Sequence, residues 1–334
     1  MTTQMTRIDP TEELLSTLKG ADSVLLFGHI APDGDALGSV LALALLLRDM
    51  GKKVEMGVDG IIPGQLMFLP SIGDFRMPGQ LSADENTLAV AVDVGDLGRL
   101  GGHQEVFLSA GKKMVIDHHG TNTHFGDVNW VDGHAPASAV MIWRLMKALG
   151  HKMTKDQALC LYTGLSTDTG NFIYESVNDE CFSMMAELMD AGLELAQYSR
   201  ILFRQKRVNF VRLLSETLPT LRILGDGSVA GLSTAYEVFT KNNLPESETD
   251  GVVDYAIDLE GVVMAYYAHE KQSGDVKFSL RALPPYRVDK LAVQFGGGGH
   301  AQAAGCTLPG PVGEAVSRME AAILQSKQEQ DDQA

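Results

Sequence analysis

Short apolar runs that stop at an acidic or imidazole residue constrain the fold of this chain more than any other feature. Ser23–Phe27 (SVLLF), Lys53–Val58, Thr87–Val92 (TLAVAV) and Lys113–Ile116 (KMVI) are bounded by turn residues and read as buried strands. Helix-length segments lie between them. Ser39–Met50 (SVLALALLLRDM) is one, closed by Gly51. Ala137–Leu149, Lys155–Leu165 and Asp179–Ala191 are others, the last closed by Gly192. Strands that alternate with helices give an α/β fold, built as βαβ units around a parallel sheet.

Six residues able to hold metals fall on this frame at four places. They are His29, Asp33 and Asp35 in GHIAPDGDALGS, Asp93 in VAVDVGD, His118 in VIDHH, and Asp168 in LSTDTGNF. His29, Asp93 and His118 lie just past the carboxyl ends of predicted strands, the rim where open α/β sheets bind ligands. His29, Asp33 and Asp35 stand at i, i+4 and i+6. A helix turns i and i+6 about 120° apart, so a loop leaving the strand, with Pro32 and Gly34 in its turn, must aim all three. The helix N-terminus expected at Ser39 would favour anions. Four acids and two imidazoles form a hard, oxygen-rich set for two divalent cations, and such a pair activates water against phosphorus.

The second half reads differently. Residues 194–221 look like a linker helix carrying Arg200, Arg204, Lys206, Arg207 and Arg212. Strand-like SVAGLS, VVMAYYA and DVKFSLR follow, then a helix through Leu291–Phe295, so the carboxyl part is a smaller α/β domain with its own sheet. The expected division is a catalytic metal-binding domain over 1–193, the linker over 194–221, a substrate-binding domain over 222–325 and a disordered tail over 326–334. Gly296, Gly297, Gly298 and Gly299 precede His300. Consecutive glycines free backbone N–H groups to wrap an anion, and His300 adds a donor.

Composition narrows the function. With 334 residues and 45% hydrophobic content the chain supports full cores. Its net charge of -16 argues against a partner such as long duplex DNA, whose binders carry basic surfaces. Cys160, Cys181 and Cys306 form no CxxC and read as reduced, buried thiols. The polar start is unlike a signal peptide, and Val40–Leu47 is too short to cross a bilayer, which needs roughly 20 residues. The expectation is a cytoplasmic protein without a membrane partner.

The ordered motifs HxxPDGDALGS, VDxxD, DHH, TDTGxF and GGGGHxxAAG resemble the DHH phosphoesterase superfamily, in the branch with the first type of DHH-associated domain. Within it the chain is most similar to the bacterial nanoRNase and 3′-phosphoadenosine 5′-phosphate phosphatase group, from about Glu13 to Leu324. The resemblance implies two Mn²⁺ per chain, with Mg²⁺ or Co²⁺ as substitutes. His29 and Asp33 would hold one ion, Asp35, His118 and Asp168 the other, and Asp93 would bridge. Asp117 would orient an imidazole. His119 would face the substrate and steady or protonate the leaving oxygen. Arg281 of FSLR and the glycine loop would grip the substrate anion.

The substrates implied are short RNA oligonucleotides, cut to 5′-mononucleotides, or adenosine bisphosphate, cut to AMP; a homodimer is compatible. Alternatives are a linear or cyclic dinucleotide phosphodiesterase, a RecJ-like single-strand DNA exonuclease, a type II pyrophosphatase (which lacks the GGGGH loop), and a nucleotide sensor without catalysis. Several positions depart from the family pattern: Ala31 stands where Asn is common, the second motif reads VDVGD, Ala282 and LPPYR follow SLR, and IYESVND follows TDTGNF. None removes a metal ligand; all bear on substrate choice. Arg99, Arg204 and Arg207 remain unassigned basic groups. His103, His124, His134, His151 and His269 have no motif context and read as surface or structural residues.

Overall fold

The structure, a computed structural model, describes residues 7–244, 249, 251–299 and 301–332. The chain divides into two units, Met1–Gln205 and Lys206–Ala334.

The first unit holds a six-stranded, fully parallel sheet of β1 (Ser23–Phe27), β2 (Lys53–Gly57), β3 (Phe75–Arg76), β4 (Thr87–Val92), β5 (Lys112–Asp117) and β6 (Val128–Val131). Its order is β3-β2-β1-β4-β5-β6. β4 is buried along its whole length, which is why its sequence is continuously apolar rather than alternating. The helices are α1 (Glu12–Gly20), α2 (Gly34–Asp49), α3 (Gln104–Ser109), α4 (Ser138–Ala148), α5 (Lys155–Asp168) and α6 (Asp179–Asp190). α2, α4, α5 and α6 contribute to one large apolar cluster with the sheet residues Leu26, Val90, Val92 and Ile116. A second cluster joins Phe27, Ala89, Ala91 and Val115 to Phe107 of α3. The sheet is thus covered on both faces, as parallel sheets require.

α2 begins at Gly34, not near Ser39. Asp33 caps it by accepting from the backbone N–H groups of Asp35 and Ala36, both at 3.0 Å. Asp35 therefore projects from a first helical turn rather than from a loop. α2 crosses α5 closely because glycines meet there. A Cβ on Gly164 would stand 2.5 Å from Asp35 Oδ1 and 2.7 Å from Ala139 Cβ.

The expected helix over 194–221 is broken. α7 (Leu195–Ser199) runs into a π-helical turn over Arg200–Arg204, closed by Gln205 N donating to Arg200 O at 2.8 Å. Gln205 is extended, and a new helix α8 (Val208–Thr217) follows. Arg204, Gln205, Lys206 and Arg207 are all exposed, so the apolar stripe that would hold a continuous helix is interrupted there.

The second unit contains a mixed sheet of β7 (Arg222–Leu224), β8 (Val229–Thr234), β9 (Met264–Glu270), β10 (Val276–Ala282), β11 (Gly298–Gly299) and β12 (Ala303–Leu308), in the order β11-β12-β10-β9-β8-β7. β8 and β9 pair in parallel and the other neighbours are antiparallel. Helices α9 (Tyr236–Asn242), α10 (Asp254–Ile257), α11 (Asp289–Gln294) and α12 (Val312–Asp331) complete it. Residues 326–331, expected to be disordered, continue α12. Tyr286 Oη donates to Asp331 Oδ1 at 2.7 Å, and Arg287 N donates to Gln330 Oε1 at 2.8 Å, so polar side chains anchor the last turns. Among the described residues no helix is long and apolar enough to cross a membrane.

Candidate metal centre

β1, β4 and β5 are neighbours, and each delivers a candidate ligand at its carboxyl end. His29 lies two residues past β1, while Asp93 follows β4 and His118 follows β5 directly. The strand order reverses between β1 and β4, the switch point where α/β sheets open a crevice. Asp33 caps α2, Asp35 sits in its first turn, and Asp168 is the last residue of α5.

These six side chains converge. His29 Nε2 lies 3.4 Å from Asp33 Oδ2 and 3.6 Å from Asp93 Oδ2. His118 Nε2 lies 3.5 Å from Asp93 Oδ1, 3.4 Å from Asp168 Oδ2 and 4.0 Å from Asp35 Oδ2. Asp93 thus turns one carboxylate oxygen toward each imidazole. Three overlapping sets, His29–Asp33–Asp93, Asp35–His118–Asp168 and Asp93–His118–His119, have ligand atoms within 4.8 Å of one another.

The surrounding residues fix these orientations. His29 Nδ1 is 2.8 Å from Ile30 O, and His118 Nδ1 is 3.1 Å from Ala135 O. A carbonyl oxygen only accepts, so each Nδ1 carries the proton and each Nε2 faces the acids. Asp93 has φ +62, its N donates to Ile116 O at 2.9 Å, and Ser138 Oγ donates to its Oδ1 at 3.1 Å. Asp35 is fully enclosed: it accepts from Ser39 Oγ at 2.9 Å, Ser138 N at 2.6 Å and Ala139 N at 3.0 Å. The loop bearing His29 is tied by Ile30 N donating to Arg99 O at 2.8 Å and Ala31 N donating to Asp59 O at 3.1 Å.

Asp117, wholly buried at the end of β5, accepts from His119 Nδ1 at 2.7 Å and from Asn122 Nδ2 at 2.6 Å. Asn122 also donates to Val94 O at 2.9 Å, next to Asp93. Asn122 and Ser138 are the contributors that motif reading passes over. An Asn in a polar loop reads as a turn former, and a Ser at a helix start reads as a cap, so neither carries a distinct signal.

Electrostatics shows an acid cluster in need of cations. Burial pushes the pKa values of Asp35 and Asp93 up, with neighbouring carboxylates adding to the effect. Burial lifts Asp168 to about 6 against the pull of His118. Burial also disfavours the charged imidazoles, but Asp33 and Asp93 overcome it at His29, and Asp93, Asp168 and Asp35 overcome it at His118; both rise to about 9. Burial opposes ionisation of Asp33 as well, yet His29 holds it near 2. The hydrogen bond that His119 donates to Asp117 raises the imidazole pKa. Carboxylates and imidazoles without thiolate suit hard or borderline divalent ions, and the three cysteines are buried apart from these sets. The residues present therefore fit a pair of divalent cations.

The other candidates lie in the second unit. Arg281 is on β10, half-exposed, with Nη1 donating to Leu280 O at 3.1 Å and Nε 3.8 Å from Asp254 Oδ1. It pairs with Ala303 of β12, whose neighbour Ala304 pairs with Gly299 of β11, so one end of this sheet carries both Arg281 and the glycine run. The run is not a loop of free amides. Gly296 N donates to Val293 O at 3.0 Å and Gly297 N to Ala292 O at 2.9 Å, closing α11. Gly298 and Gly299 form β11. Glycine is needed at 297 because a Cβ there would stand 2.6 Å from Cys306 Cβ. His300 lies outside the described residues. Arg99, Arg204 and Arg207 are exposed, whereas His103 and His269 are buried.

Comparison with known proteins agrees with this architecture. Residues 23–165 match the DHH family N-terminal domain, and residues 231–328 match the DHHA1 domain. The chain is 33% identical to the bifunctional oligoribonuclease and PAP phosphatase NrnA of Thermus thermophilus, over 89% of this chain and 87% of that protein. It is 25% identical to the protein of the same name in Bacillus subtilis, over 89% and 92% of the two chains. The crystal structure of an exopolyphosphatase-related protein from Bacteroides fragilis superposes with a TM-score of 0.90 at 26% identity, over 97% of this chain and 99% of the other. The chain belongs to the DHH family of metal-dependent phosphoesterases, with a DHHA1 domain following its DHH domain.

Proposed function

We propose that this phosphoesterase uses two Mn²⁺ ions to hydrolyse very short oligoribonucleotides to 5′-mononucleotides and 3′-phosphoadenosine 5′-phosphate to AMP. One observation carries the dinuclear reading: Asp93 directs Oδ2 to His29 and Oδ1 to His118, so a single carboxylate serves two ligand sets. The substrates are supported by the Thermus and Bacillus relatives, named as oligoribonuclease and PAP phosphatase. His29, Asp33 and Asp93 would hold one cation, and Asp35, His118 and Asp168, with Asp93 shared, would hold the other. When bound, such a pair supplies Lewis acidity at the phosphoryl group and acidifies water.

The chain's own residues do the rest. His119, its ring steadied by Asp117, donates a proton to the leaving oxygen, and Asn122 fixes Asp117 from the other side. Arg281 grips a substrate phosphate together with the glycine run and His300. Since two of those glycine amides already close α11, Arg281 is the principal charge in the grip. The three buried free cysteines agree with a reducing, cytoplasmic setting, and a homodimer is the assembly to look for.

The test is a rate panel. Purified protein with Mn²⁺ is given end-labelled oligoribonucleotides from the dimer upward, 3′-phosphoadenosine 5′-phosphate, linear and cyclic dinucleotides, single-stranded DNA and pyrophosphate. Dinucleotides and the bisphosphate should turn over fastest. A clear preference for cyclic dinucleotides or for long DNA sinks the substrate assignment, and absence of turnover on all of them sinks the reaction.

A further inference from the structure

The segment that follows Asp168 is strained, tied down and exposed at its tip. Gly170, Asn171 and Phe172 take φ of +57, +57 and +67 in succession. A left-handed Phe is a costly conformation that persists only where its surroundings impose it, and such outliers gather at ligand sites. Here the surroundings are visible. Asn171 N donates to Ser166 O at 2.6 Å, Phe172 N to Thr169 Oγ1 at 3.2 Å, and Ile173 and Tyr174 N both to Thr169 O at 3.0 and 3.1 Å. The Phe172 ring stacks on Phe182 of α6 with centroids 5.7 Å apart. The tip is therefore held in one shape while Ile173 stays 80% and Tyr174 59% exposed.

Tyr174 lies across the backbone of Gly170, where a Cβ would come within 2.5 Å of its ring. The phenol ring thus packs on glycine, which leaves most of the residue exposed. Gly170 is two residues past Asp168, so its Cα is no more than about 7 Å from that of a candidate metal ligand. The tip offers apolar and aromatic surface, followed by Glu175, so it is unsuited to gripping phosphate. What it suits is the uncharged part of a substrate whose phosphate sits at the metal centre. An aromatic face held rigidly beside a phosphate site is how proteins stack a nucleobase without reading its edges.

We propose that Tyr174 is a specificity-determining residue that stacks the nucleobase attached to the scissile phosphate, with Ile173 flanking it. This rests on the phosphoesterase reading above and deepens it: the substrate class becomes phosphoesters carrying a base, with tolerance for which base.

The experiment compares two substrates, adenylyl dinucleotide and the same dinucleotide with an abasic ribose at the cleaved position, in the full chain with Mn²⁺. The readout is discrimination, the ratio of their kcat/KM values. Tyr174→Ala and Tyr174→Leu should lower that ratio about tenfold or more, chiefly through KM on the base-bearing substrate. Tyr174→Phe should retain it, since the ring face is kept. Wild-type turnover with an unchanged ratio in Tyr174→Ala overturns the stacking role alone. A changed oligomeric state in Tyr174→Ala with the ratio preserved does the same and assigns the tip to a second copy of the chain. A wild type that cleaves neither substrate overturns the functional reading and the stacking role together.

Discussion

Asp93 shows how much one residue is asked to do. It sits at φ +62, between two imidazoles, 2% exposed, in a cluster whose other members are acids. Asn keeps its shape and tolerates the left-handed conformation better than Ala does. Asp93→Asn should lower Mn²⁺-dependent turnover at least about a thousandfold, the loss expected when several kcal/mol of metal-borne charge stabilisation goes. The metal-free variant should still unfold cooperatively in urea, at a midpoint below wild type at neutral pH, because Asp93 is among the carboxylates that hold the His29 and His118 imidazoles protonated. A variant that keeps its rate removes Asp93 from the centre. Protonation gives a second test. His29 and His118 hold protons up to about pH 9 without metal, and Asp168 up to about 6. Cations must displace those protons, so Mn²⁺ affinity should rise steeply from pH 6 to 8, with net proton release seen by calorimetry in buffers of different ionisation enthalpy. The raised imidazole pKa values also contribute stability to the metal-free chain that is complete below about pH 6.5 and lost as pH climbs through 9. Affinity independent of pH contradicts this ligand set. Of the six ligand candidates, His29, Asp93 and His118 were legible because they follow strand ends, while Asp33, Asp35 and Asp168 were legible only through their motifs. Asn122 and Ser138 were not, because their type is the ordinary currency of turns and caps.

Elements explain why the ligands meet. Asp35 reaches the centre only because α2 and α5 approach through Gly34, Gly38 and Gly164. Gly164→Ala would press a methyl group onto Asp35 Oδ1 and Ala139. We expect a loss of about 1–3 kcal/mol in stability from overpacking, and a weakening of Mn²⁺ binding by about 10–100-fold from the displaced carboxylate. Gly313→Ala on α12, where a Cβ meets open space, is the control and should do neither. If Gly164→Ala binds Mn²⁺ like wild type, Asp35 is not held by this crossing. Periodicity gave β1, β2, β4, β5, α2, α4, α5 and α6 of the first unit, while the short β3, β6 and α3 and the amino-terminal α1 were not read and two boundaries escaped it. The start of α2 is set by the Asp33 cap, and a DGD stretch reads equally well as a turn. The helix over 194–221 breaks where four exposed polar residues remove any burial to sustain it, a tertiary fact that propensity does not register. The glycine run was read as loop, and two of its members pair as β11 with Gly305 and Ala304 nearby in sequence, a pairing that glycine, a poor strand former, does not announce.

At the scale of the molecule, the two units share one chain and divide its charge unequally in kind. All six candidate ligands lie in Met1–Gln205, while Arg281 and the glycine run lie in Lys206–Ala334. The change in strand pattern near Gly225 pointed to a second domain, whereas the units divide at Gln205. The site residues of the second unit remain harder to read, because an exposed Arg and a glycine run have structural uses as common as ligand binding. Metal addition should separate the units energetically. A ligand that binds only the folded form stabilises it by RT ln(1 + [L]/Kd), about 2.7 kcal/mol at one hundred times Kd. Mn²⁺ should therefore slow hydrogen exchange in the segments that converge on the centre: the end of β1 with the start of α2, the ends of β4 and β5, and the end of α5. Exchange in β8, β9, β10 and β12 should be unaffected at the same concentration, since local opening there does not release metal. Protection confined to the second unit would place the cations elsewhere, and equal protection across both would mean that the two units open as one.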